Sequence, residues 1–113
     1  MKNKIDIIIP AYKAQKTILR TLSSIAEQTI LPDLTVTIVN DCCPNGNYSE
    51  FVNLFKPYMN IREIQLPENG GPGVARQYGI DNTNNEFFTC IDADDTFCGA
   101  TALEILREGI KAD

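Results

Sequence analysis

The chain lacks several features that would indicate common classes of site. Its 113 residues include no histidine and no tryptophan, and the four cysteines lack the paired C-x-x-C spacing of zinc sites. We therefore expect neither a zinc site nor a disulfide framework, but reduced thiols in a cytosolic protein. The opening MKNKIDIIIPAYK has only a short apolar run, which indicates a buried strand rather than a signal peptide. No run reaches the roughly 18 apolar residues of a membrane-spanning helix.

Positive charge is also scarce. Ten Lys and Arg residues stand against 15 Asp and Glu, the net charge is −5, and no basic cluster stands out. A nucleic-acid-binding surface is therefore not expected. An acidic protein can still bind an anion when a divalent cation lies between them, because the cation offsets the repulsion.

Short apolar segments alternate with amphipathic ones, within a length that suits one domain. Strands are predicted at 5–9, 34–39, 61–66 and 86–91, the first buried on both faces apart from Asp6. Helical spacing follows each strand, with apolar faces at Ile18, Leu19, Leu22, Ile25 and Ala26; Phe51, Leu54 and Phe55; Val74, Ala75, Tyr78 and Ile80; and Leu103, Ile105, Leu106 and Ile110. This order predicts an α/β fold with a parallel sheet of about four strands and helices on both faces.

Distinctive residues follow three of the predicted strands. Pro10, Ala11 and Tyr12 follow the first strand, Asp41 follows the second, and the acidic segment 92–95 follows the fourth. Ligands of such sheets bind at the carboxyl ends of the strands. We therefore expect these three loops to form one site.

The acidic segment suits a cation. Asp92, Asp94 and Asp95 lie within four residues, and a hard ion such as Mg²⁺ or Mn²⁺ prefers oxygen ligands. Its charge would remove the repulsion among the carboxylates. The alternative is that Asp94, Asp95 or Thr96 caps the last helix.

A glycine-rich segment, ENGGPGVARQYGI, suits a diphosphate, because its glycines allow close backbone approach and Arg76 falls in the first turn of a predicted helix. The alternative is a flexible loop with Arg76 in a surface ion pair. Tyr12 can stack on a base, and Asp41 can accept a hydrogen bond from a base or a ribose. The alternatives for these two are a partly exposed aromatic ring and a turn-forming aspartate.

In these segments the chain resembles the family-2 glycosyltransferases, which have the GT-A fold. The matching stretches are IIIPAYKAQKTILRTLSSIAEQT, IVNDCCPNG, ENGGPGVARQYGI and FFTCIDADD, in the family's order. The resemblance implies an inverting transfer from a nucleotide-diphosphate sugar, usually a UDP-sugar, with Mn²⁺ or Mg²⁺ as cofactor, in polysaccharide biosynthesis. The residues it assigns to the donor are Pro10, Ala11 and Tyr12 beside the base, Asp41 at uracil or ribose, Arg76 near the diphosphate, and Asp92 and Asp94 in the D-x-D region. It assigns the metal to Asp94 and Asp95.

The chain departs from the family pattern in two loops and in length. Lys13 stands where the family often has Asn, and Asn40-Asp41-Cys42-Cys43 replaces the common Asp-Asp-Gly-Ser. Family catalytic domains continue for about as long again. The resemblance thus implies that residues 1–113 are the donor-binding half, truncated before the acceptor half that carries the general base. We expect this half alone to be inactive, to be able to self-associate through the surface left by truncation, and to lie in the cytoplasm or at the cytoplasmic face of the membrane.

Two other functions stay open on the sequence. One is a non-catalytic nucleotide-binding or assembly module, and the other is a nucleotidyltransferase. Nucleotidyltransferases usually carry a glycine-rich, basic loop after the first strand, and PAYKAQK lacks the glycines. The acceptor, whether a glycan, a lipid or another molecule, is not specified.

Overall fold

A computed structural model of the chain describes residues 4–44 and 46–112, with side chains as far as residue 109. The strands are β1 (Ile5–Ala11), β2 (Leu34–Asn40), β3 (Asn60–Gln65) and β4 (Phe87–Cys90). The helices are α1 (Ile18–Ala26), α2 (Ser49–Phe55), α3 (Gly71–Asp81) and α4 (Ala102–Ala112), with a 3₁₀ turn at Leu31–Asp33. Each predicted element is present. β1 continues two residues further than predicted, and α2 ends before Pro57.

The sheet confirms the predicted α/β architecture. Its strand order is β3-β2-β1-β4, and all three pairs are parallel. The register aligns Ala11 with Asn40, and Asn40 with Gln65, at one edge. The carboxyl ends of these strands therefore meet at the same edge, where the predicted site loops begin.

Helices cover both faces of the sheet, as predicted. The larger core packs Ile7 and Ile9 of β1 against α1, α2 and Leu103 of α4. The smaller core packs Ile8 of β1 and Val39 of β2 against Ala75 of α3. Successive residues of β1 thus pack into opposite cores, which explains why Ile7, Ile8 and Ile9 are all apolar. Within the described residues, no helix is both long enough and apolar enough to cross a bilayer.

Several predicted helix faces are wrong in detail. Leu19 of α1 is 46% exposed, and the polar Thr21 and Ser24 are buried in its place. The reason is that this face of α1 meets the chain that follows β4, whose backbone needs hydrogen-bond partners. Leu54 of α2 and Val74 of α3 are also exposed.

The last helix and the first strand add two corrections. Ile105 and Leu106 are exposed, because α4 instead buries Leu103 and Arg107, whose guanidinium pairs with Asp33 at 2.6 Å. Ile110 has its side chain outside the described part of the chain. Asp6, expected to interrupt the buried strand, is itself only 2% exposed, and it accepts a hydrogen bond from the backbone N–H of Asn85 at 3.1 Å.

Close contact between α3 and the sheet depends on Gly79. A Cβ atom there would lie 2.5 Å from Cγ2 of Ile8 and 3.0 Å from Cγ2 of Val39. We predict that Gly79→Ala lowers the free energy of unfolding by about 1–3 kcal/mol, measured by urea denaturation, because the helix must move off the sheet. Gly109→Ala is the matched control, since its Cβ meets nothing within 4 Å, and it should stabilise by roughly 0.5–1 kcal/mol. Equal effects of the two substitutions would contradict this packing.

Candidate functional site

A cavity of about 520 Å³ lies at the carboxyl edge of the sheet. It is lined by Pro10, Ala11, Tyr12, Lys13, Ala14, Thr17, Asp41, Asn69, Gly71, Pro72, Ala75, Arg76, Asp92, Ala93 and Asp94. The loops after β1, β2 and β4 contribute to it together with the start of α3. Every residue that the sequence assigned to the nucleotide sugar lines this cavity. The volume is in the range of small-molecule sites.

The acidic loop, residues 92–101, connects β4 to α4. One carboxylate oxygen from each of Asp92, Asp94 and Asp95 lies within 4.8 Å of the others. Asp95 is not among the cavity-lining residues, but its carboxylate belongs to this group. The capping alternative is wrong, because α4 begins at Ala102, several residues beyond Thr96. The backbone N–H of Asp95 instead donates to the carbonyl of Asp92 at 3.0 Å, which closes a turn.

Arg76 faces this loop from α3. Its Nη2 lies 3.0 Å from Oδ1 of Asp92, and the two side chains are 41% and 49% exposed. An exposed pair of this kind contributes little to stability, so both groups can exchange partners when a ligand arrives. Cys90 lies close by. Burial raises the pKa of its thiol, as does the charge of Asp92, while Arg76 opposes them. The Cys90 thiol therefore stays protonated near neutral pH.

Asp41 holds the start of α3. Its carboxylate is buried and accepts the backbone N–H of Gly70 at 2.8 Å and of Gly71 at 2.9 Å. Nδ2 of Asn69 donates to the same carboxylate at 3.3 Å and to the carbonyl oxygen of Asp41 at 3.0 Å. Asp41 thus accepts hydrogen bonds from two of the backbone N–H groups that have no partner within the helix at its N-terminus. Because a carboxylate offers about four acceptor positions, roughly one is left for a ligand.

We predict that Asp41→Asn lowers the free energy of unfolding by about 1–3 kcal/mol, because the amide can accept through one atom only and leaves one of the two partly buried N–H groups unpaired. Urea denaturation at neutral pH measures the change. Asp81→Asn is the control: it makes the same substitution at the exposed, opposite end of α3, and about 0.5 kcal/mol or less is expected. Indistinguishable losses would show that Asp41 does not hold the helix.

Tyr48 supports the loop after β1. Its ring is fully buried, and its hydroxyl oxygen accepts the backbone N–H of Ala14 at 3.0 Å. Burial raises the pKa of this phenol from 10.0 to about 12. Lys13, in the loop after β1, and Cys42, in the loop after β2, have backbone φ angles of 54° and 53°, in the left-handed region. Cys42 stands where the resembling family commonly has glycine, which adopts that conformation without strain.

The shifted pKa of Tyr48 predicts a pH dependence. Between pH 10 and 12 the unfolded chain has lost the phenolic proton that the folded chain keeps, so stability falls as pH rises through this range. The free energy of unfolding should drop by about 2 kcal/mol more in the wild type than in Tyr48→Phe, measured by urea denaturation at pH 9 and 12. Tyr58→Phe, on an exposed ring, should retain the wild-type slope. A Tyr48→Phe slope equal to that of the wild type would refute this assignment.

The sequence missed the residues that hold these loops. Thr21, Ser24 and Gln28 contact the acidic loop, Asn69 contacts Asp41, and Tyr48 contacts the loop after β1. Thr21 and Ser24 could have been found from the sequence, because they are polar residues at helical spacing in an amphipathic segment. No local pattern marks Asn69 or Tyr48, because their partners lie 28 and 34 residues away.

Comparisons with known proteins agree with this geometry. The four-stranded parallel sheet with its helices matches the structures of GT-A glycosyltransferases. The family model for glycosyl transferase family 2 matches residues 6–113. The chain therefore belongs to glycosyl transferase family 2.

Individual relatives are bacterial glycosyltransferases and polysaccharide biosynthesis proteins. The chain is 30% identical over 93 residues to the poly(ribitol-phosphate) beta-N-acetylglucosaminyltransferase TarS of Staphylococcus aureus, which covers 81% of this chain and 16% of TarS. It is 33% identical over 97 residues to the succinoglycan biosynthesis protein ExoW of Rhizobium meliloti, which covers 83% of this chain and 30% of ExoW. The chain thus spans less than a third of the length of these relatives.

Solved structures show the same similarity. The structure of S. aureus TarS 1-349 in complex with UDP superposes with a TM-score of 0.86 at 28% identity, covering 96% of this chain and 32% of that one. The mannosyltransferase PcManGT of Pyrobaculum calidifontis, solved with GDP-Man and Mn²⁺, gives a TM-score of 0.82 at 20% identity, covering 98% and 32%. At that identity the second likeness establishes the fold alone.

Proposed function

We propose that this chain binds the donor of an inverting glycosyltransferase, a nucleotide-diphosphate sugar of the UDP class, together with Mn²⁺ or Mg²⁺. The observation that carries the proposal is the convergence of Tyr12, Asp41, Arg76 and the acidic loop on one cavity at the carboxyl edge of the sheet. TarS, at 28% identity, has been solved with UDP and with UDP-GlcNAc.

The charges lining the cavity favour a cation as part of the ligand. Among the described residues, Lys13 and Arg76 line it against the carboxylates of Asp41, Asp92 and Asp94. A diphosphate entering alone would meet net repulsion, which the overall charge of −5 reinforces. A divalent ion reverses this balance.

The acidic loop fits such an ion. Mg²⁺ and Mn²⁺ take oxygen ligands, usually one or two carboxylates with phosphate and water completing the shell. Exposed oxygens of Asp94 and Asp95 within 4.8 Å of each other meet this requirement, whereas Asp92 is already paired with Arg76. We assign the metal to Asp94 and Asp95. When bound there, it would supply positive charge to the departing diphosphate.

The chain's own residues would position the rest of the donor. Tyr12 is 46% exposed and lines the cavity together with Pro10 and Ala11, so its ring could stack on the base. Asp41 would use its remaining acceptor position for a base N–H or a ribose hydroxyl. Arg76 would turn from Asp92 to the diphosphate, since a guanidinium binds phosphate oxygens through two donors.

We further propose that residues 1–113 supply the donor-binding half and do not transfer sugar alone. The match to this chain covers 16% of TarS and 30% of ExoW. The acceptor site and the general base would lie in a part of the enzyme that corresponds to the remaining length of such relatives. A cytoplasmic location belongs to the same proposal.

Calorimetry of UDP binding tests the proposal. We expect binding with Mn²⁺ and a loss of binding in EDTA. Asp94→Asn should weaken the metal-dependent affinity by about tenfold or more, because it removes the charge of a metal ligand. Asp81→Asn removes the same charge at the far end of α3 and should leave the affinity unchanged.

Two results would count against the proposal. Equal UDP affinity with Mn²⁺ and with EDTA would remove the metal from the site. An Asp94→Asn affinity equal to that of Asp81→Asn would remove Asp94 from the metal-binding set. Retained UDP binding with no transfer by a longer protein would favour the non-catalytic module.

A further inference from the structure

The backbone of the acidic loop is held by polar side chains of α1 and by Gln28, two residues beyond the end of that helix. Thr21 Oγ1 donates to the carbonyl of Asp95 at 2.6 Å, and the N–H of Phe97 donates to Ser24 Oγ at 3.1 Å. Gln28 Nε2 donates to the carbonyl of Gly99 at 2.8 Å. We call Thr21, Ser24 and Gln28 the α1 polar ladder.

The α1 polar ladder is buried, so the loss of one of its hydrogen bonds is costly. Thr21, Gln28 and Ser24 are 0%, 4% and 9% exposed. A buried hydroxyl or amide that loses its partner is costly, because water cannot replace it. Displacement of the acidic loop and the start of α4 would take the partners from Thr21 Oγ1 and Gln28 Oε1, whereas Ser24 Oγ and Gln28 Nε2 would keep their bonds to the carbonyls of Thr21 and Ser24. The loop therefore has one strongly favoured position.

Two further hydrogen bonds extend this anchorage to the C-terminal end of the loop. Gln28 Oε1 accepts the N–H of Leu103 at 3.0 Å, in the first turn of α4. The N–H of Thr29 donates to the carbonyl of Ala100 at 2.8 Å. The segment from Asp95 to the start of α4 is thus fixed at successive points along one helix and its C-terminal extension.

Contacts through the backbone leave the acidic side chains available. The ladder fixes the carbonyl of Asp95, and the N–H of Asp95 donates to the carbonyl of Asp92 at 3.0 Å. This pair of contacts sets the turn that directs the three carboxylates towards one another, while Asp94 and Asp95 remain exposed. Like charges so close would otherwise move the loop apart.

We propose that Thr21, Ser24 and Gln28 are positioning residues for the cation and diphosphate: they hold the acidic loop so that its carboxylates stay preorganised. This inference rests on the proposed function of the cavity. Preorganisation matters because ligand oxygens must keep near-ideal geometry around a small divalent cation, and a displacement of about 1 Å is enough to lower function strongly.

Thr21→Val tests the inference with little change of shape, and Thr21→Ser restores the hydroxyl. We expect Thr21→Val to weaken Mn²⁺-dependent UDP binding by about fivefold or more in calorimetry, and Thr21→Ser to stay within about twofold of wild type. Amide hydrogen exchange of the ligand-free chain provides a second readout. The hydrogen-bonded loop amides of Asp95 and Phe97 should exchange about tenfold faster in Thr21→Val, since the loop opens locally more often.

Thr37→Val is the matched control. Thr37 is also fully buried, and its hydroxyl accepts Nε of Arg62 at 3.1 Å on the β3 side of the sheet. It should lose comparable stability yet leave UDP affinity and loop exchange within about twofold of wild type. Ser24→Ala removes the hydrogen-bond partner of the Phe97 N–H. It should weaken UDP binding and speed loop exchange as Thr21→Val does, and it replaces Thr21→Val in the test if that variant does not fold.

The outcomes separate this inference from the function it rests on. Failure of wild type to bind UDP with Mn²⁺ would overturn the proposed function. Normal wild-type binding, with Thr21→Val no weaker than Thr37→Val, would overturn the positioning role. Unchanged exchange of the loop amides in both Thr21→Val and Ser24→Ala would also overturn it.

Discussion

Parallel pairing on both sides of β1 determines where every later feature of the molecule lies. β1 pairs over seven residues with β2 and over four with β4, and all seven of its residues are buried. Parallel pairing requires that each connection return across the sheet, so each helix covers a face and each strand ends at the same edge. The cavity is the space left where these chains leave the sheet.

Two helices then stabilise this edge in different ways. The start of α3 is held by a carboxylate, that of Asp41, which two backbone amides and Asn69 surround. The acidic loop is held by neutral side chains of α1, through its backbone carbonyls and amides. In the first arrangement the carboxylate of Asp41 is buried and hydrogen-bonded within the fold. In the second, the carboxylates of Asp92, Asp94 and Asp95 stay exposed. Aspartates at the same edge therefore have different physical roles.

Sequence periodicity was enough for the architecture. The apolar runs predicted four strands and four helices because burial on a sheet face depends on local spacing, which one segment reveals by itself. The same reasoning brought Tyr12, Asp41, Arg76 and Asp94 to one edge. It failed for Leu19 and Ile105, because what a helix faces depends on a distant segment, here the acidic loop and the 3₁₀ turn that carries Asp33. The supporting contacts of Tyr48 and Asn69 were unpredictable for the same reason.

The ion pair between Arg76 and Asp92 offsets part of the charge repulsion at this acidic edge, although an exposed pair adds little to the stability of the fold. Arg76 neutralises the carboxylate nearest to α3, and the α1 polar ladder holds the backbone that the remaining repulsion would displace. Because Arg76 and Asp92 are about half exposed, their attraction is weakened by water and is easily exchanged for a stronger one. Under the proposed function, a diphosphate with its cation would offer that exchange: the anion would pair with the guanidinium, and the cation with the carboxylates. The donor would thus pair with the charges that repel one another at this edge, while the groups that anchor the loop are neutral and buried and the carboxylates are exposed.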